Sequence, residues 1–274
     1  MESEIKISVL SSVYKNDVAE NVKTAFESIL KQTYKPSQIV IVRDGKVSDE
    51  LQSLLDEYKK NEIFTIVERD NNLGLGKTLN EGLGYCKYDY IARMDSDDIA
   101  EPTRFEKQVK CFENDENLSI VGTNGIEFVD SLENIAGEKV VPETDSEIKK
   151  YMTKRCPMCH MSVMMKKQAI LDAGSYRDWY YAEDWYMWIR MCLSGAKFYN
   201  IQEPLMKIRI NKDTYARRHG MKYYKSIKGL LKYMRKQKMC SWFTYVKNCF
   251  VRFVGHVLVP RKMKFRLYKK FMRK

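Results

Sequence analysis

Strand-like and helix-like segments alternate along the first 114 residues, and this alternation constrains the fold more than any other feature of the sequence. Four runs rich in Val, Ile and other apolar residues are each followed by a segment whose apolar residues recur at helical spacing. The strand segments are residues 5–14, 37–45, 63–69 and 88–95, and the helical segments are residues 18–32, 49–60, 76–86 and 101–114. This order predicts an α/β fold with a mostly parallel sheet, covered by helices on both faces.

Polar side chains stand at the carboxyl ends of three of these strands, where open parallel sheets bind their ligands. The first strand ends in Ser12 to Tyr14, the second in Asp44, and the fourth in MDSDD, which contains Asp95, Asp97 and Asp98. Carboxylates this close repel one another. An Asp-x-Asp pair at a strand end can hold Mg²⁺ or Mn²⁺, whose charge offsets the repulsion and which bridges phosphate oxygens. The alternative is a solvated acidic turn that caps the next helix.

The charge of the chain is divided unevenly between an acidic body and a basic tail. The chain contains 48 Lys and Arg and 36 Asp and Glu, which give a net charge of +12. Residues 215–274 hold 19 of the basic residues and none of the acidic ones, which leaves 29 basic and 36 acidic residues in 1–214. We therefore predict a ligand-binding body (1–214) and a basic helical tail (215–274). The asymmetry suggests a polyanionic partner, either nucleic acid or an anionic membrane surface.

The sequence of the tail favours the membrane surface. Apolar and aromatic residues recur at helical spacing in residues 241–260, and eight Lys and Arg follow in residues 261–274. This pattern suits an amphipathic helix that lies in a membrane interface. No nucleic-acid-binding motif accompanies the tail, and an acidic body would repel phosphates. A nucleic-acid-binding protein and a non-catalytic membrane-associated scaffold stay as alternatives.

Other sequence features bear on the compartment. We find neither a secretory signal nor an apolar run of 18 residues, and seven cysteines, an odd number, fit a reducing compartment. We therefore expect a cytoplasmic protein, peripheral on the inner face of the cell membrane. The sequence CPMCH at 156–160 matches a haem-attachment pattern and half of a zinc site, but haem attachment needs export and no second CxxC exists. We interpret Cys156 and Cys159 as core thiols.

Six segments in order resemble a family 2 glycosyltransferase of the GT-A fold, of the kind that builds bacterial polysaccharides. They are SVLSSVYKND, SILKQTYKPSQIVIVRDG, NNLGLGKTLNEGL, YIARMDSDDIAEPTRFEKQV, HMSVMMKK and YYAEDWYMWIRMCLSGAKFYNI. The resemblance covers residues 5–210, and the order of the segments makes it specific at the level of the family.

The resemblance implies a nucleotide-sugar site at the ends of the first strands. Ser12 and Tyr14 would cradle the base, and Asp44 would bind the base or the ribose. The donor would be lined by Asn72, Gly74, Lys77 and Asn80. Leu79 stands where the family often has an Arg, so Lys77 could take over that contact. Asp97, with Asp95, would bind Mn²⁺ or Mg²⁺.

The resemblance also implies residues for the transfer step. Glu183 and Asp184 match the acidic pair of the family, with Asp184 as the general base. The pair opens a predicted helix, whose positive dipole end favours an ionised carboxylate; an ordinary helix cap is the alternative. Trp179 or Trp185 could stack on a sugar ring, although both also fit a core.

The remaining implied contacts leave alternatives open. His160 would line the acceptor pocket, approach the metal or be a structural histidine. Arg209, Arg217 and Arg218 would clamp the diphosphate or begin the basic tail. The implied reaction is a single in-line displacement that inverts the anomeric configuration. The donor would be a UDP-linked hexose or N-acetylhexosamine, and the acceptor a saccharide on polyprenyl diphosphate. The product would enter a capsule, O-antigen or exopolysaccharide.

Overall fold

Four parallel strands form the first half of a nine-stranded sheet in the computed structural model, which describes residues 4–211, 214 and 217–260. These strands are β1 (Ile7–Tyr14), β2 (Gln38–Asp44), β3 (Phe64–Glu68) and β4 (Tyr90–Arg93), in the spatial order β3-β2-β1-β4. β1 pairs in parallel with both β2 and β4. The predicted α/β fold is confirmed, and these four strands are parallel as predicted.

The second half of the sheet is mixed. It contains β5 (Ile99–Ala100), β6 (Leu118–Val129), β7 (Ile135–Lys139), β8 (Met164–Lys166) and β9 (Lys197–Ile210), and the order continues β4-β8-β6-β9-β5, with β7 paired to β6. β8 runs antiparallel to β4 and β6, while β9 runs parallel to β6. Because β8 runs against β4, the 3₁₀ turn that precedes it, His160–Ser162, lies at the carboxyl end of β4.

Helices cover both faces of the sheet, as predicted. They are α1 (Ala19–Leu30), α2 (Asp49–Tyr58), α3 (Leu75–Tyr85), α4 (Arg104–Asn114), α5 (Asp145–Met152), α6 (Lys167–Asp172) and α7 (Glu183–Leu193). Successive strand residues point to opposite faces, so Val9 belongs to one apolar core with Phe26 of α1, and Leu10 to the other with Leu79 of α3 and Trp188 of α7. Burial of Leu79 explains why no charged residue stands at this position.

Two further helices follow the body, α8 (Gly220–Lys236) and α9 (Trp242–Phe253), and a short π-helical turn (Val254–Leu258) follows α9. One stripe of α8 is buried in the same core as Trp188, namely Tyr223, Ile227, Leu230, Leu231 and Met234. Although the domain boundary after residue 214 stays a prediction, α8 thus packs as part of the body. No helix in the described part of the chain is long and apolar enough to cross a membrane. The eight basic residues of 261–274 lie outside the described residues.

Candidate active site

The acidic cluster follows the end of β4, and the buried Arg93 forms an ion pair with one of its carboxylates. Arg93, the last residue of β4, is 1% exposed, and its Nη1 lies 2.5 Å from Asp95 Oδ1. Arg93 could not be predicted as part of the site, because the sequence does not show which carboxylate an arginine within an apolar strand will pair with. The ion pair orients Asp95 and neutralises one charge of the cluster.

The surroundings of Asp97 and Asp98 disfavour the charged forms of both carboxyl groups. Asp98 is buried; its Oδ1 accepts a hydrogen bond from the backbone N of Arg209 at 2.7 Å, and its Oδ2 has no hydrogen-bond partner among the described residues. Burial, followed by repulsion from Asp97 and Asp95, raises the pKa of Asp98 well above its usual range. Burial and repulsion from Asp95 raise the pKa of Asp97 to about 6, against the opposing charge of Arg209.

Arg209 lies beside the cluster, as the diphosphate-clamp prediction requires. Its Nε donates to the carbonyl oxygen of Asp97 at 3.2 Å, and its Nη1 donates to the carbonyl oxygen of Asp130 at 2.9 Å. The guanidinium also lies 4.7 Å from the ring centroid of Phe128. These contacts fix the guanidinium near the carboxylates, while its role as a clamp stays a prediction.

Asp17, in the loop after β1, is a further acid of the site that the sequence analysis missed. Its Oδ2 accepts hydrogen bonds from the backbone N of Tyr14 at 3.0 Å and from Ser96 Oγ at 2.8 Å. Asp17 therefore joins the end of β1 to the turn between Asp95 and Asp97. Burial raises its pKa to about 7, and the charges of Asp97 and Asp95 add to the shift. Its position just after a strand end was the only signal in the sequence.

The donor atoms of this cluster fit a hard divalent cation. Carboxylate oxygens are the ligands that Mg²⁺ and Mn²⁺ prefer, and a metal that bridges a diphosphate needs only one or two of them from the protein. The described residues contain no group of three or more His, Cys, Asp or Glu that could hold a metal alone. The orphaned Oδ2 of Asp98 and the raised pKa of Asp97 mark surplus negative charge that such an ion would offset.

The predicted donor loop, which contains Asn72 and Gly74, is hydrogen-bonded to Asp44 at the end of β2. The two carboxylate oxygens of Asp44 accept hydrogen bonds from the backbone N of Leu73 at 2.9 Å and of Gly74 at 3.0 Å. Asn72 Nδ2 donates to the carbonyl oxygen of Asp44 at 3.0 Å. Gly45 has φ of +88°, and a Cβ there would lie 2.9 Å from the backbone N of Asn72, so the turn requires glycine. Asp44 thus organises the loop, and its contact with a base stays a prediction.

The other predicted donor residues surround this loop. Ser12 is half-buried at the end of β1, beside the exposed Tyr14. Lys77 and Asn80 are exposed on α3, and Lys77 Nζ lies 3.7 Å from Asp178 Oδ2. The structure brings these residues to one edge of the sheet, as parallel strands require, and their contacts with a nucleotide stay predictions.

Glu183 and Asp184 are the first two residues of α7, as predicted. Asp184 Oδ1 accepts a hydrogen bond from the backbone N of Trp185 at 2.7 Å, and Oδ2 accepts one from the Cys156 thiol at 3.3 Å. Burial and then the charge of Asp184 raise the pKa of Glu183 to about 7. Cys156, interpreted above as a core thiol, therefore also donates a hydrogen bond to the predicted general base.

His160 is buried behind the cluster. Its Nε2 lies 3.2 Å from the hydroxyl of Tyr176, and its ring contacts Trp188 edge-on at 5.8 Å. Burial, followed by the charge of Arg93, lowers the pKa of His160 well below its usual range, so the ring is neutral. These contacts agree with the structural alternative, and the roles of His160 toward an acceptor or a metal stay predictions.

The two tryptophans considered for sugar stacking are both packed against other elements. Trp185 is 3% exposed, and its Nε1 donates to the carbonyl oxygen of Met152 at 3.0 Å. The half-buried Trp179 donates from Nε1 to the carbonyl oxygen of Ser226 at 3.1 Å. Trp185 is therefore a core residue, and sugar stacking by the half-buried Trp179 stays a prediction.

Comparison with known proteins identifies the chain. Residues 8–179 match the model of "Glycosyl transferase family 2". The chain belongs to this glycosyltransferase family. An uncharacterized glycosyltransferase of Haemophilus influenzae is 35% identical over 98% of this chain and 100% of its own. The amylovoran biosynthesis glycosyltransferase AmsE of Erwinia amylovora is 33% identical over 96% of this chain and 98% of its own.

A third relative of this family 2 glycosyltransferase carries a more specific name. The UDP-Gal:alpha-D-GlcNAc-diphosphoundecaprenol beta-1,3-galactosyltransferase of Escherichia coli is 33% identical over 98% of this chain and 97% of its own. The chain is therefore a glycosyltransferase, and the prediction of a transferase enzyme is confirmed.

Solved structures show the fold of this family 2 glycosyltransferase. S. aureus TarS 1–349 in complex with UDP-GlcNAc has a TM-score of 0.66 at 14% identity, over 96% of this chain and 76% of that chain. The mannosyltransferase PcManGT from Pyrobaculum calidifontis, in complex with GDP-Man and Mn²⁺, has a TM-score of 0.60 at 13% identity, over 98% of this chain and 71% of that chain. The GT-A fold is confirmed.

Proposed function

We propose that this glycosyltransferase moves a hexose or N-acetylhexosamine from a UDP-sugar to a lipid-linked saccharide acceptor during synthesis of a cell-surface polysaccharide. The observation that carries the proposal is the surplus of buried carboxylates at the ends of β1 and β4, beside a loop fixed by Asp44. The printed names of AmsE and of the Escherichia coli galactosyltransferase support a polysaccharide product and a diphosphate-linked acceptor.

The donor would lie along the carboxyl edge of β1, β2 and β4. In this proposal Ser12 and Tyr14 contact the base, and the loop held by Asp44 lines the sugar nucleotide. Asp97 and Asp95 would hold Mn²⁺ or Mg²⁺, which when bound neutralises charge on the departing diphosphate. Arg209 adds a fixed positive charge beside the same group.

The transfer step would use Asp184 as the general base. The acceptor hydroxyl oxygen forms a bond to the anomeric carbon from the face opposite the leaving group, and its proton passes to the carboxylate of Asp184. The bond between the anomeric carbon and the diphosphate oxygen breaks, and its electron pair stays on UDP. One displacement of this kind inverts the anomeric configuration. Burial and the charge of Asp184 raise the pKa of Glu183 to about 7, which disfavours ionisation of both carboxylates of the pair at once.

Association with an anionic membrane surface would bring the enzyme to its acceptor. α9 exposes large apolar side chains, with Phe243 79%, Phe250 67% and Trp242 58% exposed. Basic residues line a cavity of about 630 Å³ at the end of α8, including Lys232, Arg235, Lys236 and Lys238. Exposed aromatic side chains beside clustered Lys and Arg suit a helix in the interface of an anionic leaflet. We propose that this face rests on the inner side of the cell membrane.

A donor-hydrolysis screen tests the activity. Purified enzyme is incubated with UDP-, GDP- and dTDP-sugars in the presence of Mn²⁺, Mg²⁺ or EDTA, and the released nucleoside diphosphate is measured. We expect release from a UDP-sugar that depends on the metal. Release from none of the donors with metal present would count against the proposal.

The base is tested with Asp184→Asn against a matched variant. Asp184→Asn should lower the rate of transfer by about 10²–10⁴, the usual contribution of a positioned base, while UDP binding measured by calorimetry stays unchanged. Asp172→Asn makes the same chemical change on the exposed surface of α6 and should leave the rate unchanged. Equal rates for the two variants would contradict the role of Asp184.

A further inference from the structure

Two exposed tyrosines closely precede the acidic pair of α7 in the chain, and each lies beside a cation. Of these four residues only Arg217 has a role above, in the predicted diphosphate clamp. Tyr180 and Tyr181 are 42% and 44% exposed, and their ring centroids lie 4.6 Å apart in an edge contact. Lys222 Nζ lies 4.3 Å from the ring centroid of Tyr180, and the guanidinium carbon of Arg217 lies 5.8 Å from that of Tyr181. We call these four residues the tyrosine rim.

The backbone holds the two rings at the surface in an unusual conformation. Tyr181 has φ of +52°, in the left-handed region, where a bulky residue is an outlier. The carbonyl oxygen of Tyr180 accepts a hydrogen bond from Ser226 Oγ of α8 at 2.7 Å. Backbone outliers of this kind cluster at ligand-binding sites, where the surrounding structure holds them. Packing against α8 therefore keeps both rings exposed instead of letting them join the core.

The cations of the tyrosine rim are available to an anion. Within residues 4–211, 214 and 217–260, neither Lys222 nor Arg217 forms an ion pair with Asp or Glu. The charge of Arg217 opposes the rise in pKa that burial and Asp17 give to Tyr14. Arg217 is thus close to the end of β1, and Lys222 lies over the ring of Tyr180.

The rim is also close to the acidic pair in the chain. One residue, the buried Ala182, separates Tyr181 from Glu183. Consecutive Cα atoms lie about 3.8 Å apart, so the Cα atoms of Tyr181 and Glu183 are within about 8 Å of each other. The rim and the predicted base thus belong to one short stretch of the chain at the start of α7.

We propose that the tyrosine rim is the subsite for the acceptor and that it binds the diphosphate that joins the acceptor saccharide to its lipid; this inference rests on the proposed function. The ring faces supply apolar surface for a sugar. Lys222 supplies a compact positive charge for phosphate oxygens, and Arg217 supplies a planar fork of donors. The lipid would leave the rim toward α9, which packs on α8 through the contact of Phe253 with Tyr224.

Two soluble acceptors that share one sugar separate the diphosphate contact from the sugar contact. The first carries the sugar on a short prenyl diphosphate, and the second carries it on a neutral octyl group. Lys222→Gln should raise KM for the diphosphate acceptor about tenfold, as expected for loss of a hydrogen bond to a charged group. KM for the octyl acceptor and KM for the UDP-sugar should change less than twofold. Tyr181→Leu should raise KM for both acceptors.

Lys225→Gln is the matched control, because Lys225 is an exposed lysine on the same helix with no aromatic contact, and it should match the wild type. If Lys222→Gln lowers the melting temperature, Lys222→Met, which keeps an apolar stem beside Tyr180 and removes only the charge, provides the same comparison. Equal changes for the two acceptors, a raised KM for the UDP-sugar alone, or no difference between Lys222→Gln and Lys225→Gln would overturn the subsite. Wild-type enzyme that hydrolyses the donor but transfers to neither acceptor would overturn the proposed acceptor class, and the subsite with it.

Discussion

Replacing Asp97 by Asn should stabilise the metal-free protein, and the gain should grow with pH. Asp97 has a pKa of about 6 in the folded chain and an ordinary value of 3.8, because burial and Asp95 disfavour its charge. A group whose folded pKa is raised gives the fold stability that is complete below the unfolded pKa and is lost as pH rises through the folded pKa. Asn carries no charge at any pH, so Asp97→Asn does not lose this stability.

The magnitude follows from the two pKa values. Linkage gives wild-type losses of about 1.6 kcal/mol at pH 5 and about 3 kcal/mol at pH 8, relative to low pH. The advantage of Asp97→Asn should therefore increase by about 1.4 kcal/mol between these pH values. This difference does not depend on any constant change that the amide makes in local hydrogen bonding.

Urea unfolding followed by tryptophan fluorescence, in EDTA at pH 5 and pH 8, measures this difference. Asp56→Asn, the same change at an exposed carboxylate on α2, should show no comparable dependence. With Mn²⁺ and UDP each at 100 times its Kd, the wild type should gain about 2.7 kcal/mol or more, and Asp97→Asn much less. An advantage of Asp97→Asn that is equal at both pH values, or smaller at pH 8, would refute the view that Asp97 carries surplus charge.

Three further predictions test other contacts of the site. Cys156→Ala should lower kcat about fivefold, because it removes a hydrogen bond of about 1 kcal/mol to Asp184, while Cys156→Ser restores kcat; equal kcat values for the two variants would contradict this role. Asp44→Ala should raise KM for the donor tenfold or more, because two loop amides lose their acceptor, and Asp44→Asn should lie between it and the wild type. Phe243→Ser with Phe250→Ser should weaken pelleting with anionic vesicles at an unchanged melting temperature, since both side chains are exposed; unchanged pelleting would count against the membrane face.

Apolar periodicity along the sequence was sufficient to predict the parallel strands and the helices that alternate with them. The parallel strands β1 to β4 follow from apolar runs that alternate with helical spacing, and the place of Asp95 and Asp44 at one edge follows from the parallel order. The antiparallel β8 did not follow, because three residues carry no periodicity that sets a direction. The packing of α8 against the body was not predicted, because this helix is rich in Lys and Arg. Its buried positions, from Tyr223 to Met234, do recur at helical spacing.

The partners of the acids could not be predicted in the same way, because they are contacts across long separations in the chain. Ser96 meets Asp17 across 79 residues, and Asp184 meets Cys156 across 28. A sequence shows which residues can be charged or donate, and only the tertiary structure shows which of them meet. The predicted residues therefore mark the edge where the site lies. Arg93 and Asp17 set its charge balance, and the Cys156 thiol donates to the predicted base.

This charge balance is the reason for proposing that a cation from outside the chain binds at the acidic cluster. Arg93 is fixed by burial and neutralises Asp95 at 2.5 Å, but a buried side chain cannot move to follow charge that develops on a leaving diphosphate. The raised pKa values of Asp97 and Asp17 indicate that the remaining acids are held together at the expense of stability. If these acids served the structure alone, the protein would be more stable with amides in their place and would gain nothing from Mn²⁺, and the comparison of Asp97→Asn with the wild type, without and with the metal, tests this directly.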